Sequence, residues 1–134
     1  MNVFLSYASS DQKLVNHLRA YLMKAGFKVW DPLVNSFPGD NLGTQIETAL
    51  EESDAMVVIL SPESQQSPFV NSEIHFALGS PRFKNRLILV LVEGSADVPW
   101  AQYVPIVNAK GRSGSRIGHL VVDALKKTAV KSNR

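Results

Sequence analysis

The stretch Ala55-Met56-Val57-Val58-Ile59-Leu60 decides the fold, because six apolar residues follow one another without a polar residue between them. A strand of this kind is buried on both faces, which is typical of a parallel sheet that helices cover on both sides. Ser61 and Pro62 follow immediately, and a serine N-cap with proline at the first helical position is a frequent helix start. The stretch therefore predicts a buried strand that leads directly into a helix.

Four further short apolar runs accompany this strand, and amphipathic segments lie between them. The runs occupy residues 3–7, 27–30, 87–92 and 104–107. The last run contains Pro105, which favours a strand at the edge of a sheet. The resulting β-α alternation predicts one domain over residues 1–134 with an α/β fold, a flavodoxin-like three-layer sandwich with a five-stranded parallel sheet.

Two local expectations concern the segments that follow the first two strands. The residues Ser9-Ser10-Asp11-Gln12 match a capping box, so we expect them to start the first helix. The segment 31–41 contains Pro32, Pro38 and Gly39, which are turn formers, so we expect a loop there.

The composition of the 134 residues excludes several classes of function. A net charge of +2 is too small to argue for a nucleic-acid partner, and the absence of cysteine excludes disulfides, thiolate metal sites and a cysteine nucleophile. The three histidines are scattered without metal-ligand spacing, so we expect no metal site. The longest apolar run, residues 87–92, is too short to span a membrane, and we expect a cytoplasmic protein.

Glu73 is the candidate for chemistry. It lies in a predicted helix from Ser67 to Leu78, where Phe69, Glu73 and Phe76 share one face. In an open parallel sheet, ligands bind beyond the carboxyl ends of the strands where the strand order reverses, and this helix begins there. If Glu73 is buried at this sheet edge, it is a candidate for a catalytic carboxylate. The alternative is a glutamate at the boundary of the core whose head group reaches solvent and has no catalytic role. The residues alone leave both interpretations open.

Other residues near the same edge also have two interpretations. Trp30 is either part of the core or a ligand contact, and Asp31 either starts a loop before Pro32 or binds a ligand. Ser6 lacks the nucleophile elbow of a serine hydrolase. A phosphoacceptor domain would need acidic residues where Ser6 and Ser61 stand, so we discount that class.

Taken in order, three segments resemble the Toll/interleukin-1 receptor (TIR) domain family over essentially the whole chain. Val3-Phe4-Leu5-Ser6-Tyr7-Ala8 is similar to the opening box of that family, and Pro38-Gly39-Asp40 is similar to its BB loop. Residues 57–62, followed by residues 67–73, resemble the third strand and the catalytic helix. The sequence looks more like a bacterial member than an animal receptor domain.

The resemblance implies one of two functions. Some members cleave NAD at the nicotinamide–ribose bond with one glutamate in a W-x-x-x-E-like pattern, which here is Phe69-x-x-x-Glu73. Glu73 is then the catalytic residue, NAD is the substrate, and no cofactor is needed. Other members signal only by association with further TIR domains, and Phe69 and Pro32 depart from the enzyme pattern in that direction. The resemblance implies that the following residues bind NAD: Ser6, Tyr7, Ala8, Trp30, Asp31 and Phe69.

The resemblance also implies partners. Active members assemble through the BB loop, here the region of Pro38 and Gly39, and a separate sensor protein or sensor domain triggers them. The enzyme would act in bacterial anti-phage immunity and release nicotinamide with ADP-ribose or a cyclic product. We expect neither direct nucleic-acid binding nor membrane binding.

Overall fold

A computed structural model of the protein describes residues 1–35 and 41–132. Its centre is one sheet of five strands in the order β2-β1-β3-β4-β5, and every neighbouring pair is parallel. This confirms the predicted flavodoxin-like α/β fold with a five-stranded parallel sheet. The strands are β1 (Asn2–Ser6), β2 (Lys28–Trp30), β3 (Ala55–Leu60), β4 (Leu87–Leu91) and β5 (Ile106–Asn108).

Helices connect the strands and cover the sheet. Two of them, α2 and α4, have only four residues each, and short 3-10 segments lie at residues 9–11, 81–83 and 99–103. The helices are α1 (Gln12–Lys24), α2 (Pro32–Asn35), α3 (Leu42–Glu52), α4 (Pro62–Gln65), α5 (Pro68–Leu78) and α6 (Gly114–Ser132). None of these described helices combines the length and the apolar composition that crossing a bilayer requires.

The central strand β3 is buried along its whole length, as its composition predicts. Successive side chains of a strand point to opposite faces, so β3 contributes to two separate cores. Val57 and Ile59 belong to the core under α1 and α6, whereas Val58 and Leu60 belong to the core that includes residues of α3 and α5. The sheet therefore lies between two helical layers.

Three local expectations need correction. The capping box at residues 9–12 does not form: residues 9–11 make a 3-10 turn, α1 begins at Gln12, and Asp11 makes no side-chain cap. The carboxylate of Asp11 instead accepts a hydrogen bond from Ser61 Oγ at 2.5 Å. The expected loop at residues 31–41 contains α2 in its first half, and β5 begins two residues later than predicted, directly after Pro105, and ends one residue later. Pro38 and Gly39 lie outside the described residues.

The helices α1 and α6 pack closely because glycine replaces a side chain at their contact. A Cβ added at Gly118 would lie 2.6 Å from Cγ and 3.0 Å from Cβ of Tyr21, whereas one added at Gly114 would lie 3.4 Å from Cβ of His17. Real Cβ atoms do not approach other heavy atoms as closely as the first of these distances. Only Gly118 is therefore required by the packing.

Replacement of Gly118 by alanine should destabilise the protein by about 1–3 kcal/mol, because the methyl group forces Tyr21 or the whole helix to move. This cost outweighs the gain of about 1 kcal/mol that alanine brings to a helix interior. Urea unfolding of Gly118→Ala and of the control Gly114→Ala measures both effects. Equal stability of the two variants would contradict the packing argument.

Candidate active site

The candidate site lies at the carboxyl ends of β1 and β3, where the strand order reverses. Ser6 is the last residue of β1 and lies opposite Val58 of β3 in the parallel register. The chain leaves β3 through Ser61, which caps α4 and forms a capping box with Ser64. Ser67 then caps α5 by accepting a hydrogen bond from the backbone N–H of Val70. Two successive caps thus direct α5 back across this edge of the sheet.

Glu73 is a buried carboxylate on α5, with only 5% of its surface exposed. Its Oε1 accepts a hydrogen bond from Ser6 Oγ at 2.6 Å. The bond joins residues that are 67 positions apart in the sequence, and it connects the helix to the end of β1. The structure therefore brings Ser6 and Glu73 together at the place where this fold binds ligands.

The helical geometry of α5 shows that the face shared by Phe69, Glu73 and Phe76 is not the face that packs on the core. The buried residues of α5 are Val70, Glu73, Ile74 and Ala77. With about 100° between successive residues, Glu73 lies about 60° and Phe69 about 110° from the centre of the Val70, Ile74 and Ala77 arc. Phe69 is accordingly 62% exposed. Glu73 lies at the border between the core and the surface.

This border position leaves one carboxylate oxygen accessible. Ser6 is the only described residue that hydrogen bonds to the carboxylate of Glu73, and its bond goes to Oε1. In the described part of the chain, no side-chain nitrogen or oxygen is both fully buried and without a partner. Oε2 therefore reaches the surface, where a ligand or water can hydrogen bond to it.

Burial raises the pKa of Glu73 from the ordinary value of 4.5 to about 7, and the hydrogen bond from Ser6 opposes this rise. Burial disfavours the charged form because the carboxylate loses water, whereas a donor such as the serine hydroxyl favours it. Near neutral pH both forms are present. A carboxyl group that changes charge near neutrality, in a ligand cleft, is typical of functional sites.

A second cluster joins the ends of β1 and β2 to α1. Asp31 is completely buried, and its two carboxylate oxygens accept hydrogen bonds from Tyr7 Oη at 2.5 Å and from Arg19 Nη1 at 2.6 Å. The backbone N–H of Asp31 donates to Asn35 Oδ1 at 2.8 Å. Burial and the Asp31 carboxylate raise the pKa of the Tyr7 hydroxyl well above its usual range. The cluster fixes the loop that follows β2.

The other predicted site residues have different surroundings. Trp30 is partly buried and stacks on Phe4, with ring centroids 5.2 Å apart. Ala8 is partly exposed and precedes the 3-10 turn. Burial, opposed by the Ser61 hydrogen bond, raises the pKa of Asp11. The binding roles of Ser6, Tyr7, Ala8, Trp30, Asp31 and Phe69 stay predictions.

Sequence reasoning missed Arg19 and Asn35 as partners of Asp31. Arg19 lies on α1, and nothing in its neighbourhood marks it as the partner of a residue 12 positions later. The signal that could have predicted Arg19 is the burial of Asp31, because a buried carboxylate needs a cation as its partner. Within residues 1–35 and 41–132, no group of three or more histidine, aspartate or glutamate side chains has the arrangement of a metal site.

Comparison with known proteins identifies the family. A family model described as "TIR domain" matches residues 3–121, so the chain belongs to the TIR domain family. Human Toll-like receptor 1 is 33% identical over 95 residues; the match covers 69% of this chain and only 12% of the receptor.

Solved structures share the fold at lower identity. The TIR domain of the Toll-related receptor TRR-2 from Hydra magnipapillata has a TM-score of 0.65 at 22% identity, covering 78% of this chain and 82% of that one. The CMP N-glycosidase BcmB of Clostridium botulinum has a TM-score of 0.63 at 21% identity, covering 91% of this chain and 99% of that one. The fold thus occurs in a receptor domain and in a glycosidase.

Replacement of Glu73 by glutamine should stabilise the protein more at high pH than at low pH. Between the ordinary pKa of 4.5 and the folded value of about 7, the folded protein keeps a proton that the unfolded chain has lost. Stability therefore falls as the pH rises through this window, by up to about 3 kcal/mol. Urea unfolding should show that the advantage of Glu73→Gln is about 2 kcal/mol larger at pH 8.5 than at pH 5.

The matched control is Glu47→Gln on the exposed face of α3, whose effect should be the same at both pH values because this side chain is not buried. An advantage of Glu73→Gln that does not change with pH would contradict the raised pKa.

Replacement of Asp31 by alanine should cost about 3–5 kcal/mol of stability, because Arg19 and Tyr7 lose their partner in a buried site. Asp123→Ala, on the exposed side of α6, should change stability by less than about 1 kcal/mol. Chemical unfolding of both variants measures the difference. Similar small losses in the two variants would show that the Asp31 cluster does not stabilise the fold.

Proposed function

We propose that this chain is an enzymatic TIR domain that cleaves NAD at the nicotinamide–ribose bond, with Glu73 as the catalytic carboxylate. The observation that carries the proposal is the state of Glu73: a buried carboxylate at the sheet edge where this fold binds ligands, with Oε1 held by Ser6 and Oε2 accessible. A boundary glutamate of the plain kind would be solvated, and its pKa would not rise to about 7.

One carboxylate is sufficient for this reaction. The nicotinamide of NAD is already cationic and leaves as a neutral molecule, so the leaving group needs no general acid. The ribose gains positive charge as the bond breaks, as in the hydrolysis of glycosides. The Glu73 anion can hydrogen bond to the ribose hydroxyls through Oε2 and stabilise that charge. Water then gives ADP-ribose, whereas internal capture by the adenine ring gives a cyclic product.

The similarity to a CMP N-glycosidase supports the same bond type. That enzyme, by its name, cleaves the N-glycosidic bond of a nucleotide, and 91% of this chain aligns with nearly all of it. NAD remains the proposed substrate because the family model and the Phe69-x-x-x-Glu73 pattern are those of TIR domains.

The proposed setting is a cytoplasmic immune response against phage in bacteria. A sensor protein, or a sensor domain on a longer chain, would trigger assembly of several copies through the region of Pro38 and Gly39. The isolated domain is then weakly active until it is concentrated. NAD and other copies of the chain are the proposed partners.

Purified protein should release nicotinamide from NAD when it is concentrated with a crowding agent, and chromatography measures the product. Glu73→Ala and Glu73→Gln should both lose at least about a hundredfold of the rate, because the charge of the transition state is no longer stabilised. Glu63→Gln, an exposed glutamate on the neighbouring helix α4, is the matched control and should keep the wild-type rate.

Three outcomes would contradict the proposal. Release that survives both Glu73 substitutions would remove Glu73 from the mechanism. Cytosine release from CMP without nicotinamide release from NAD would change the substrate. No release from either nucleotide in any assembling condition would exclude the enzyme.

The alternative is a signalling module that acts only by association with other TIR domains. The 33% identity with human Toll-like receptor 1 favours it, since the same segment there belongs to a receptor. Self-association that is unchanged by Glu73→Ala, measured by analytical ultracentrifugation in protein that releases no nicotinamide, would support this alternative.

A further inference from the structure

We propose that Ser6 is a positioning residue for Glu73, whose hydroxyl holds Oε1 so that Oε2 faces the substrate. This inference rests on the proposed function for its catalytic meaning. It assigns Ser6 a role different from direct contact with NAD, which the resemblance implies for the loop that follows the first strand.

The first argument is the burial of Ser6. None of its surface is exposed, and it lies at the end of the strand that pairs with β2 on one side and β3 on the other. Its backbone is held by the sheet, so its hydroxyl has a fixed place. A completely buried hydroxyl does not reach a ligand, but it can orient the side chain to which it is bonded.

The second argument is that Glu73 needs an external anchor. Its side chain has several rotatable bonds, and fixing such a side chain costs conformational entropy. Caps and buried neighbours fix the backbone of α5, but in the described part of the chain only Ser6 hydrogen bonds to the Glu73 carboxylate. Without this bond, the carboxylate could turn toward the surface on its border side of the helix.

The third argument is charge. The proposed role of Glu73 requires the anion, and burial works against the anion while Ser6 works for it. Burial and the Ser6 hydrogen bond are the two causes of the shifted pKa of Glu73, and no charged side chain is among them. The serine hydroxyl is therefore the group that counters burial.

Ser61 offers a matched control on the neighbouring strand end. It is almost completely buried, follows β3 directly, and donates its hydroxyl hydrogen bond to a different carboxylate, that of Asp11, at 2.5 Å. Ser61→Ala removes the same kind of serine–carboxylate bond at the same edge of the sheet, together with the cap of α4, but takes no hydrogen bond from Glu73. Ser6→Thr keeps the hydroxyl donor and is the conservative variant.

A ¹³C NMR titration of the glutamate carboxyl carbons tests the inference without relying on activity. The signal of Glu73 is the one missing in Glu73→Gln. Ser6→Ala should raise the pKa of Glu73 by about one unit or more, since a hydrogen bond to the charged form is lost. Ser61→Ala and Ser6→Thr should leave it near the wild-type value. An unchanged pKa in Ser6→Ala, or an equal rise in Ser61→Ala or in Ser6→Thr, would overturn the proposal.

Kinetics with NAD distinguishes positioning from substrate contact. At pH 7, a rise of about one unit reduces the ionised fraction of Glu73 from about half to about a tenth, so kcat of Ser6→Ala should fall about fivefold or more. KM for NAD should change less than about twofold, since the contacts that bind the substrate equally in its ground state and its transition state are kept. A higher KM with an unchanged kcat would make Ser6 a substrate contact and overturn the proposal. Wild-type protein that releases no nicotinamide contradicts the NAD activity, whereas the titration still decides whether Ser6 controls Glu73.

Discussion

A central strand without a polar side chain has to be covered on both faces, and the remainder of this structure depends on that constraint. All six residues of β3 are buried, and their alternating side chains supply two separate cores. Helices must therefore lie on both sides of the sheet. They serve as the crossover connections between neighbouring strands, which all run parallel. Parallel strands end at one common edge, which is where the loops, the helix caps and the polar side chains of this protein meet.

Glu73 acquires its properties from its place on α5 rather than from its own chemistry. The helix has to bury Val70, Ile74 and Ala77, and Glu73 falls on the border of the same arc. This position removes most of its water but leaves Oε2 accessible. Burial and the Ser6 hydrogen bond oppose each other, and burial is the larger effect, so the pKa stands near 7.

Much of the fold could be predicted from the sequence, since uninterrupted apolar runs and helix caps are local signals. The strand at residues 55–60, the cap at Ser61 and the helix predicted from Ser67 to Leu78 all agree with the structure. The expected capping box at residues 9–12 does not form, since residues 9–11 make a 3-10 turn, and Asp11 bonds instead to Ser61, which is 50 positions away. A local pattern cannot reveal such a long-range partner.

The candidate site, too, could be predicted from the sequence only where local signals determine it, and not where it depends on long-range contacts. Placement of Glu73 beside the cleft followed from strand order, but its bond to Ser6 and the bond from Arg19 to Asp31 are long-range contacts. Phe69 shares a helix face with Glu73 but is exposed, because a shared face does not tell which part of it meets the core. The width of the buried arc is a property of packing, which the periodicity of the sequence does not contain.

Three carboxylates lie near the same sheet edge, and their partners separate them. Asp31 faces the guanidinium cation of Arg19 and a tyrosine hydroxyl, so its charge is balanced inside the protein. Asp11 is only partly buried and bonds to Ser61. Glu73 combines deep burial with a neutral donor and has no cation beside it among the described residues. In the proposed enzyme, a substrate that gains positive charge would supply that cation, which favours Glu73 over the other two as the proposed catalytic carboxylate.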